Sequence, residues 1–230
     1  MAPTTRPAAG RGERGGGPGH RHGTLPDLAT YLERLEGRDR AAWQQPDRVV
    51  RALALRPGET VCDVGAGPGY FALRLARAVG PLGTVYAIDV ERRMLEVLRD
   101  RLRVSGIDNV RPLLARGERG AVPPRPCDVV LVVNTFHHFP DGAGYLRRLA
   151  GRLAPGGRIV GIDFHKRTMP VGPPRGHTVS RAEFLEAARD GGLRLVMEHR
   201  FLPYQYFLEL APARRRRFSR ALRAAVPRKR

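Results

Sequence analysis

An acid and three alternating glycines form the segment of this chain best suited to holding a ligand. The segment runs Asp63-Val64-Gly65-Ala66-Gly67-Pro68-Gly69, after an apolar run and before a helical pattern, which predicts a strand, a tight turn and a helix. Glycine lets a ligand approach the backbone, and the first N–H groups of a helix lack partners within that helix. A second apolar run ends at Asp89, whose carboxylate can accept hydrogen bonds from both hydroxyls of a ribose. These residues predict a nucleotide-binding site.

The spacing of the glycines separates two classes of nucleotide fold. Dinucleotide-binding enzymes use G-x-G-x-x-G, with a pyrophosphate at the helix N-terminus. The pattern here resembles motif I of the class I S-adenosylmethionine (SAM) methyltransferases, and Asp89 resembles their ribose-binding acid. SAM has no phosphate, and its amino-acid end carries an ammonium and a carboxylate, which suits an acid beside the glycine loop. The resemblance implies SAM as the cofactor, bound by Asp63, Gly65, Gly67, Gly69, Tyr70, Asp89, Val90, Gly117 and Asn134.

Two further segments extend this resemblance over roughly residues 26–210. Residues 128–139, DVVLVVNTFHHF, resemble motif IV of the ubiquinone-biosynthesis-like branch, and residues 153–158, LAPGGR, resemble the L-x-P-G-G turn before the fifth strand. The branch methylates quinones, sterols, arsenite, lipids and proteins, so the resemblance implies a methyltransferase acting on a small-molecule or lipid-like acceptor. One departure lies after the third strand, where Ala115-Arg116-Gly117-Glu118 replaces the usual Gly-Asp or Asp-Ala near the adenine.

The order of elements predicts an α/β fold. Strands are expected at 60–64, 84–89, 110–115, 128–133 and 158–163, alternating with helices, which indicates a parallel sheet covered on both faces. Runs at 193–200 and 204–210, joined by a short turn, can pair only in antiparallel fashion. The prediction is a doubly wound, seven-stranded, mostly parallel sheet with a terminal antiparallel hairpin.

Candidate catalytic residues follow the fourth and fifth strands, because ligands of open α/β sheets bind at the carboxyl ends of strands. These candidates are His137, His138 and Asp163, with His165 nearby. A neutral imidazole there can remove a proton from an O–H, N–H or acidic C–H group. The alternatives are histidines that orient the loop or cap the next helix, or a metal site formed with Asp163; we expect no metal. Residues 169–177 are expected to form a substrate rim, and the hairpin residues 204–206 to lie farther away.

The chain divides by composition into four predicted segments. Residues 1–24 are rich in Gly, Pro and Arg and should be disordered, residues 25–56 should form a helical lid, residues 57–210 the methyltransferase core, and residues 211–230 a basic tail. The lid candidates are Tyr31, Trp43 and Gln44, with simple packing on the sheet as the alternative for Trp43.

Charge and cysteine content limit the partners and the compartment. The chain has 230 residues and a net charge of +19, and residues 211–230 contain nine Lys or Arg and no acid. That tail could contact polyanions or an anionic membrane surface weakly, although a solvated tail is the simpler interpretation. Two cysteines in apolar runs predict buried free thiols, and no apolar run is long enough to span a membrane, so a cytoplasmic protein is expected. The competing functions are an RNA or membrane adaptor without turnover, an RNA or protein methyltransferase, and a nicotinamide-dependent oxidoreductase; the sequence leaves the oligomeric state open.

Overall fold

A mixed sheet of seven strands organises the computed structural model, which describes residues 27–37, 39–115 and 122–213. The strand order is β3-β2-β1-β4-β5-β7-β6, with β1 to β5 parallel and β7 antiparallel to both of its neighbours. The strands are β1 (Thr60–Val64), β2 (Thr84–Asp89), β3 (Val110–Leu114), β4 (Cys127–Val133), β5 (Leu153–Phe164), β6 (Leu193–His199) and β7 (Gln205–Pro212). The predicted fold class is confirmed, including the antiparallel pair at the end.

Helices cover both faces of the sheet. They are α1 (Leu28–Glu36), α2 (Arg40–Gln44), α3 (Pro46–Ala52), α4 (Ala72–Val79), α5 (Arg92–Ser105), α6 (Gly142–Ala150) and α7 (Arg181–Asp190). Of these, α1, α5, α6 and α7 each begin at a side chain that caps the helix. The Asp27 carboxylate accepts from two backbone N–H groups of α1, and Ser180 and Glu183 form the predicted capping box of α7. Among the described residues, no helix is long and apolar enough to cross a membrane.

Alternation along the central strands produces two apolar cores, one on each face. In β4, Val129 and Leu131 lie in the core under α4 and α5, while Val130 and Val132 lie in the core under α6 and α7. Such continuous apolar strands are expected when both faces of a parallel sheet are covered. Both cysteines are buried free thiols, as predicted.

The fifth strand begins earlier than predicted. It was expected to start at Arg158 after a turn, yet its pairing with β4 already includes Leu153. Five steps along β5, from Leu153 to Arg158, correspond to two steps along β4, so the extra residues form a bulge. Gly156 adopts φ +81° within it. The L-x-P-G-G segment is therefore a bulge inside the strand and not a separate turn.

The N-terminal helices attach to the core in two ways. Val49 of α3 and Leu53 just after it are completely buried in the core under α4, and the Arg158 guanidinium donates to the Leu53 carbonyl. By contrast, α1 is linked to α5 by the ion pair of Glu36 and Arg101. The part of the predicted lid nearest the sheet is thus packed as core, whereas α1 lies above the glycine loop.

Candidate functional site

The three glycines of the loop all adopt positive φ, at 74° for Gly65, 55° for Gly67 and 93° for Gly69. A Cβ added to Gly65 would lie 2.2 Å from Thr135 Oγ1, and one added to Gly69 would lie 2.4 Å from Leu98 Cδ1. For Gly67, the nearest atom is Leu35 Cδ1, at 4.0 Å. Two glycines are therefore required by close packing within the protein, while Gly67 borders open space under α1 in which a ligand can approach the backbone.

Asp89 lies against the loop at the end of β2, as the sequence predicted. Its Oδ2 accepts from the Gly67 N–H at 2.7 Å and its Oδ1 from the Glu91 N–H at 2.9 Å. Burial raises the pKa of Asp89, and these backbone N–H groups partly oppose that effect. The carboxylate consequently has a fixed orientation beside the open face of Gly67.

Asp63 is a buried acid without a full set of partners. Its carboxylate is 2% exposed, and Oδ2 has no hydrogen-bond partner among the described residues. Burial, and secondarily the nearby Asp89 carboxylate, raise the pKa of Asp63 to about 7. A buried carboxylate oxygen without a donor is costly in isolation, so this position suits a cationic ligand group such as an ammonium.

Tyr70 and Val90 differ in their surroundings, although both were predicted to contact the cofactor. Two guanidinium groups contact the Tyr70 ring, with Arg40 at 3.9 Å and Arg74 at 4.7 Å from its centroid. Burial raises the pKa of Tyr70. Val90 is 50% exposed directly after Asp89, while Gly117 lies outside the described residues.

His137 and Asp163 form a buried pair where β4 and β5 end. His137 Nδ1 lies 3.1 Å from both carboxylate oxygens of Asp163, and their side chains are 8% and 1% exposed. Asp163 also accepts from the Phe164 N–H at 2.8 Å. An ionised Asp163 can only accept, so Nδ1 of His137 donates to it and Nε2 of the neutral ring remains as a proton acceptor.

The two adjacent histidines have different environments, because a 3-10 turn at Phe136–His138 separates their directions. His138 is exposed and its ring centroid lies 4.2 Å from that of His137. His165, two residues after Asp163, packs near Tyr206, and burial lowers the pKa of His165. Of the two adjacent histidines, His137 is the one whose ring lies within hydrogen-bond distance of Asp163 in the geometry given above.

The start of β7 lies beside the site, which corrects the expectation that residues 204–206 are distant. Gln205 Nε2 donates to Asn134 Oδ1 at 2.5 Å, and Tyr206 is directly opposite Asp163 in the β5–β7 pairing. Gln205 is also bonded to Gln44 of α2. No periodic pattern in the sequence predicts this contact, because it depends on the pairing of β7 with β5.

Aromatic contacts bring the lid and the predicted substrate rim to one place. The Trp43 ring lies 5.4 Å from that of Phe164 at the end of β5, and a Cβ on Gly172 would lie 2.6 Å from the same Phe164 ring. Trp43 therefore packs on the sheet at the carboxyl end of the strands, where a lid was expected. The side chain of Tyr31 lies outside the description. Among the described residues, no group of three metal-ligating side chains is present.

Comparison with known proteins agrees with this geometry. Residues 61–157 match the family described as a methyltransferase domain. A protein-L-isoaspartate O-methyltransferase of Ignicoccus hospitalis is 38% identical over 112 residues, covering 49% of this chain and 50% of that protein. A ubiquinone/menaquinone biosynthesis C-methyltransferase of Vibrio vulnificus is 36% identical over 112 residues, covering 48% of this chain and 43% of the other. The chain thus spans about half the length of these relatives.

A solved structure extends the similarity over most of the sheet. The crystal structure of a SAM-dependent methyltransferase from Aquifex aeolicus superposes with a TM-score of 0.71 and 26% identity, covering 79% of this chain and 96% of that one. The glycine loop, the acid at the end of β2 and the antiparallel β7 occur together in the present chain. The described part of the chain therefore has the fold of the class I SAM-dependent methyltransferases, and residues 61–157 match a methyltransferase domain.

Proposed function

We propose that this protein transfers a methyl group from SAM to a small-molecule or lipid-like acceptor, with His137 as the general base. The observation that carries this proposal is the buried His137–Asp163 pair at the carboxyl ends of β4 and β5. Thr135, two residues before His137, lies against Gly65 of the glycine loop. A proton acceptor and a nucleoside cradle thus share one edge of the sheet, where α/β enzymes bind their ligands.

The residues of the cradle fit SAM at both of its ends. Asp89 would accept from the ribose hydroxyls, Gly67 would leave room for the ligand, and the unpartnered Oδ2 of Asp63 would accept from the ammonium of the amino-acid end. SAM supplies the electrophilic methyl group of a sulfonium when it is bound. The protein contributes position and exclusion of water, which can account for much of the acceleration in a transfer of this kind.

His137 would act on the acceptor and not on the cofactor. Asp163 holds the ring through Nδ1 and stabilises its positive charge once Nε2 has taken a proton. A hydroxyl, amine or acidic carbon of the acceptor would lose that proton as its new bond to the methyl carbon forms. Asp163 itself would remain ionised and orient the ring.

The test begins with cofactor binding and then separates the two histidines. Calorimetry should show binding of S-adenosylhomocysteine (SAH), and a metabolite screen with isotopically labelled methyl-SAM should identify the acceptor. With that acceptor, His137→Ala should lower the single-turnover rate by about 10²- to 10⁴-fold, the range for loss of a general base. His138→Ala is the matched control from the same 3-10 turn and should leave the rate within a few fold.

Other outcomes distinguish the competing functions. The relative from Ignicoccus hospitalis is named for O-methylation of isoaspartate in proteins. An ionised carboxylate oxygen of such a residue has no proton to lose. If a protein carboxylate is the acceptor, label will appear in protein and His137→Ala will retain its rate. Binding of SAH without any labelled product from small molecules, RNA or protein would favour an adaptor without turnover.

A further inference from the structure

A chain of buried polar side chains connects α2 to the loop after β4. Arg40 Nε donates to Gln44 Oε1 at 2.5 Å, and Gln44 Nε2 donates to Gln205 Oε1 at 3.2 Å. Gln205 Nε2 then donates to Asn134 Oδ1 at 2.5 Å. Gln44 is fully buried and Gln205 is 2% exposed, so neither amide can exchange these partners for water.

Arg40 determines which group of each side chain in this series donates and which accepts. A guanidinium has only donors, so Gln44 must turn its carbonyl oxygen toward Arg40 and its NH₂ group toward Gln205. The same requirement passes through Gln205 to Asn134, whose oxygen is then occupied. Among the described residues, Nδ2 of Asn134 has no hydrogen-bond partner. The residue at this position therefore presents a donor, and not an acceptor, to the site.

Asn134 is also held in an unusual backbone conformation, with φ +53°. Asparagine tolerates this left-handed region better than most residues, and the Asn134 N–H donates to the Ile162 carbonyl at 2.8 Å. The following residue, Thr135, lies against Gly65. Backbone and side chain together fix the amide next to the loop that holds the predicted cofactor.

We propose that the chain Arg40–Gln44–Gln205–Asn134 makes Asn134 a dedicated hydrogen-bond donor to the carboxylate at the amino-acid end of SAM. This inference rests on the proposed cofactor site. The unpartnered Asp63 oxygen is suited to the ammonium of that end, and the carboxylate attached to the same carbon needs donors nearby. The positive charge of Arg40 would also attract that carboxylate, because Arg40 is close enough to Asp63 to lower the pKa of Asp63.

The chain can be reversed by one atom-for-atom change. In Gln44→Glu, both carboxylate oxygens accept, one from Arg40 and one from the NH₂ group of Gln205. Gln205 must then accept from Nδ2 of Asn134, which turns the Asn134 oxygen toward the site. Every buried group keeps a partner and the new charge is paired with Arg40, so the variant should fold. Asn134→Asp places an oxygen at the same position without altering the hydrogen bonds among Arg40, Gln44 and Gln205.

The measurement compares SAH with decarboxylated SAH, which keeps the ammonium and lacks the carboxylate. Gln44→Glu and Asn134→Asp should each weaken SAH by at least about tenfold, as expected for replacing a donor to a charged group by an acceptor. Their affinity for decarboxylated SAH should be unchanged or higher. Gln45→Glu is the control, because this neighbouring glutamine contacts the Phe201 carbonyl and Arg48 and lies outside the network, and it should change SAH affinity by less than threefold. Thermal unfolding of each variant checks that it is folded.

Two results would overturn the inference while leaving the proposed function intact. One is an equal loss of affinity for both ligands in Gln44→Glu and Asn134→Asp. The other is unchanged SAH affinity in Asn134→Asp, which would place the amide toward the acceptor substrate. A wild-type protein that binds neither ligand would refute the proposed function itself, and this inference with it.

Discussion

The ionisation of Asp63 provides a sharp test of the cofactor site. Burial raises its pKa from an ordinary value of 3.8 to about 7, so the free protein is partly protonated there at neutral pH. The ammonium of SAH can pair only with the carboxylate, so below pH 7 binding must release a proton. Each pH unit below 7 should therefore lower the affinity for SAH by up to about tenfold, and the affinity should level off above about pH 8.

Calorimetry in buffers with different heats of ionisation measures both quantities. At pH 6 SAH binding should release close to one proton, and at pH 8.5 almost none from this group. Asp63→Asn should abolish the release and weaken SAH at pH 8 by about 10- to 150-fold, equivalent to about 1.5–3 kcal/mol for a hydrogen bond to a charged group. Asp100→Asn is the control, because that exposed acid pairs with Arg103 within α5. An affinity independent of pH between 6 and 8 in the wild type would refute this reasoning.

The raised pKa of Asp63 has the opposite effect on the stability of the ligand-free protein, which falls as the pH rises. A carboxyl whose pKa is higher in the folded state than in the unfolded state binds more protons when folded. By linkage, its contribution to the free energy of unfolding falls as the pH rises from about 4 through 7. The site thus loses stability over the pH range in which it gains affinity for a cationic ligand.

Further predictions concern the loop, the ribose acid and the tail. Gly67→Val should abolish SAH binding while the fold survives, because the added side chain enters the open space where the ligand would lie. Gly106→Val is the control for backbone strain, since Gly106 has φ +64° and no atom near its added Cβ. Equal SAH affinity in both variants would contradict the assignment of the loop. Asp89→Ala should weaken SAH by at least about tenfold in the same titration, through loss of two hydrogen bonds to a charged acceptor. Removal of residues 214–230 should leave SAH affinity unchanged and reduce cosedimentation with anionic liposomes. The deletion must start after Ala213, because the Ala213 N–H donates to the Gly192 carbonyl. Undiminished cosedimentation would show that the tail does not bind anionic surfaces.

The sheet was predictable because each strand carries its own local signal. Apolar runs ending in Asp63 and Asp89, and the short turn before β7, determine both the pairing and the position of the glycine loop. The start of β5 was predicted wrongly, since the segment that includes Gly156 has the composition of a turn and is used as a bulge. Local composition cannot distinguish these two uses, because the difference lies in the partner strand.

The site was predictable where its residues follow the ends of neighbouring parallel strands. Asp89 contacts Gly67, and His137 lies near Asp163, because parallel strands end at a common edge. The contact of Gln205 with Asn134 joins residues 71 positions apart and has no motif. The different environments of His137 and His138 depend on a single 3-10 turn, whose rotation the sequence does not specify.

The outermost strand, β6, bears on how this protein behaves at high concentration. Leu195, Val196 and Met197 are 37%, 41% and 52% exposed along this edge, a composition that favours edge-to-edge association. The pairing of β6 with β7 shifts between Leu195 and Met197, and a bulge of this kind bends a strand and disturbs the regular spacing of its backbone N–H and C=O groups. We expect this irregularity to protect the edge strand against aggregation, and a variant that straightened β6 should precipitate more readily.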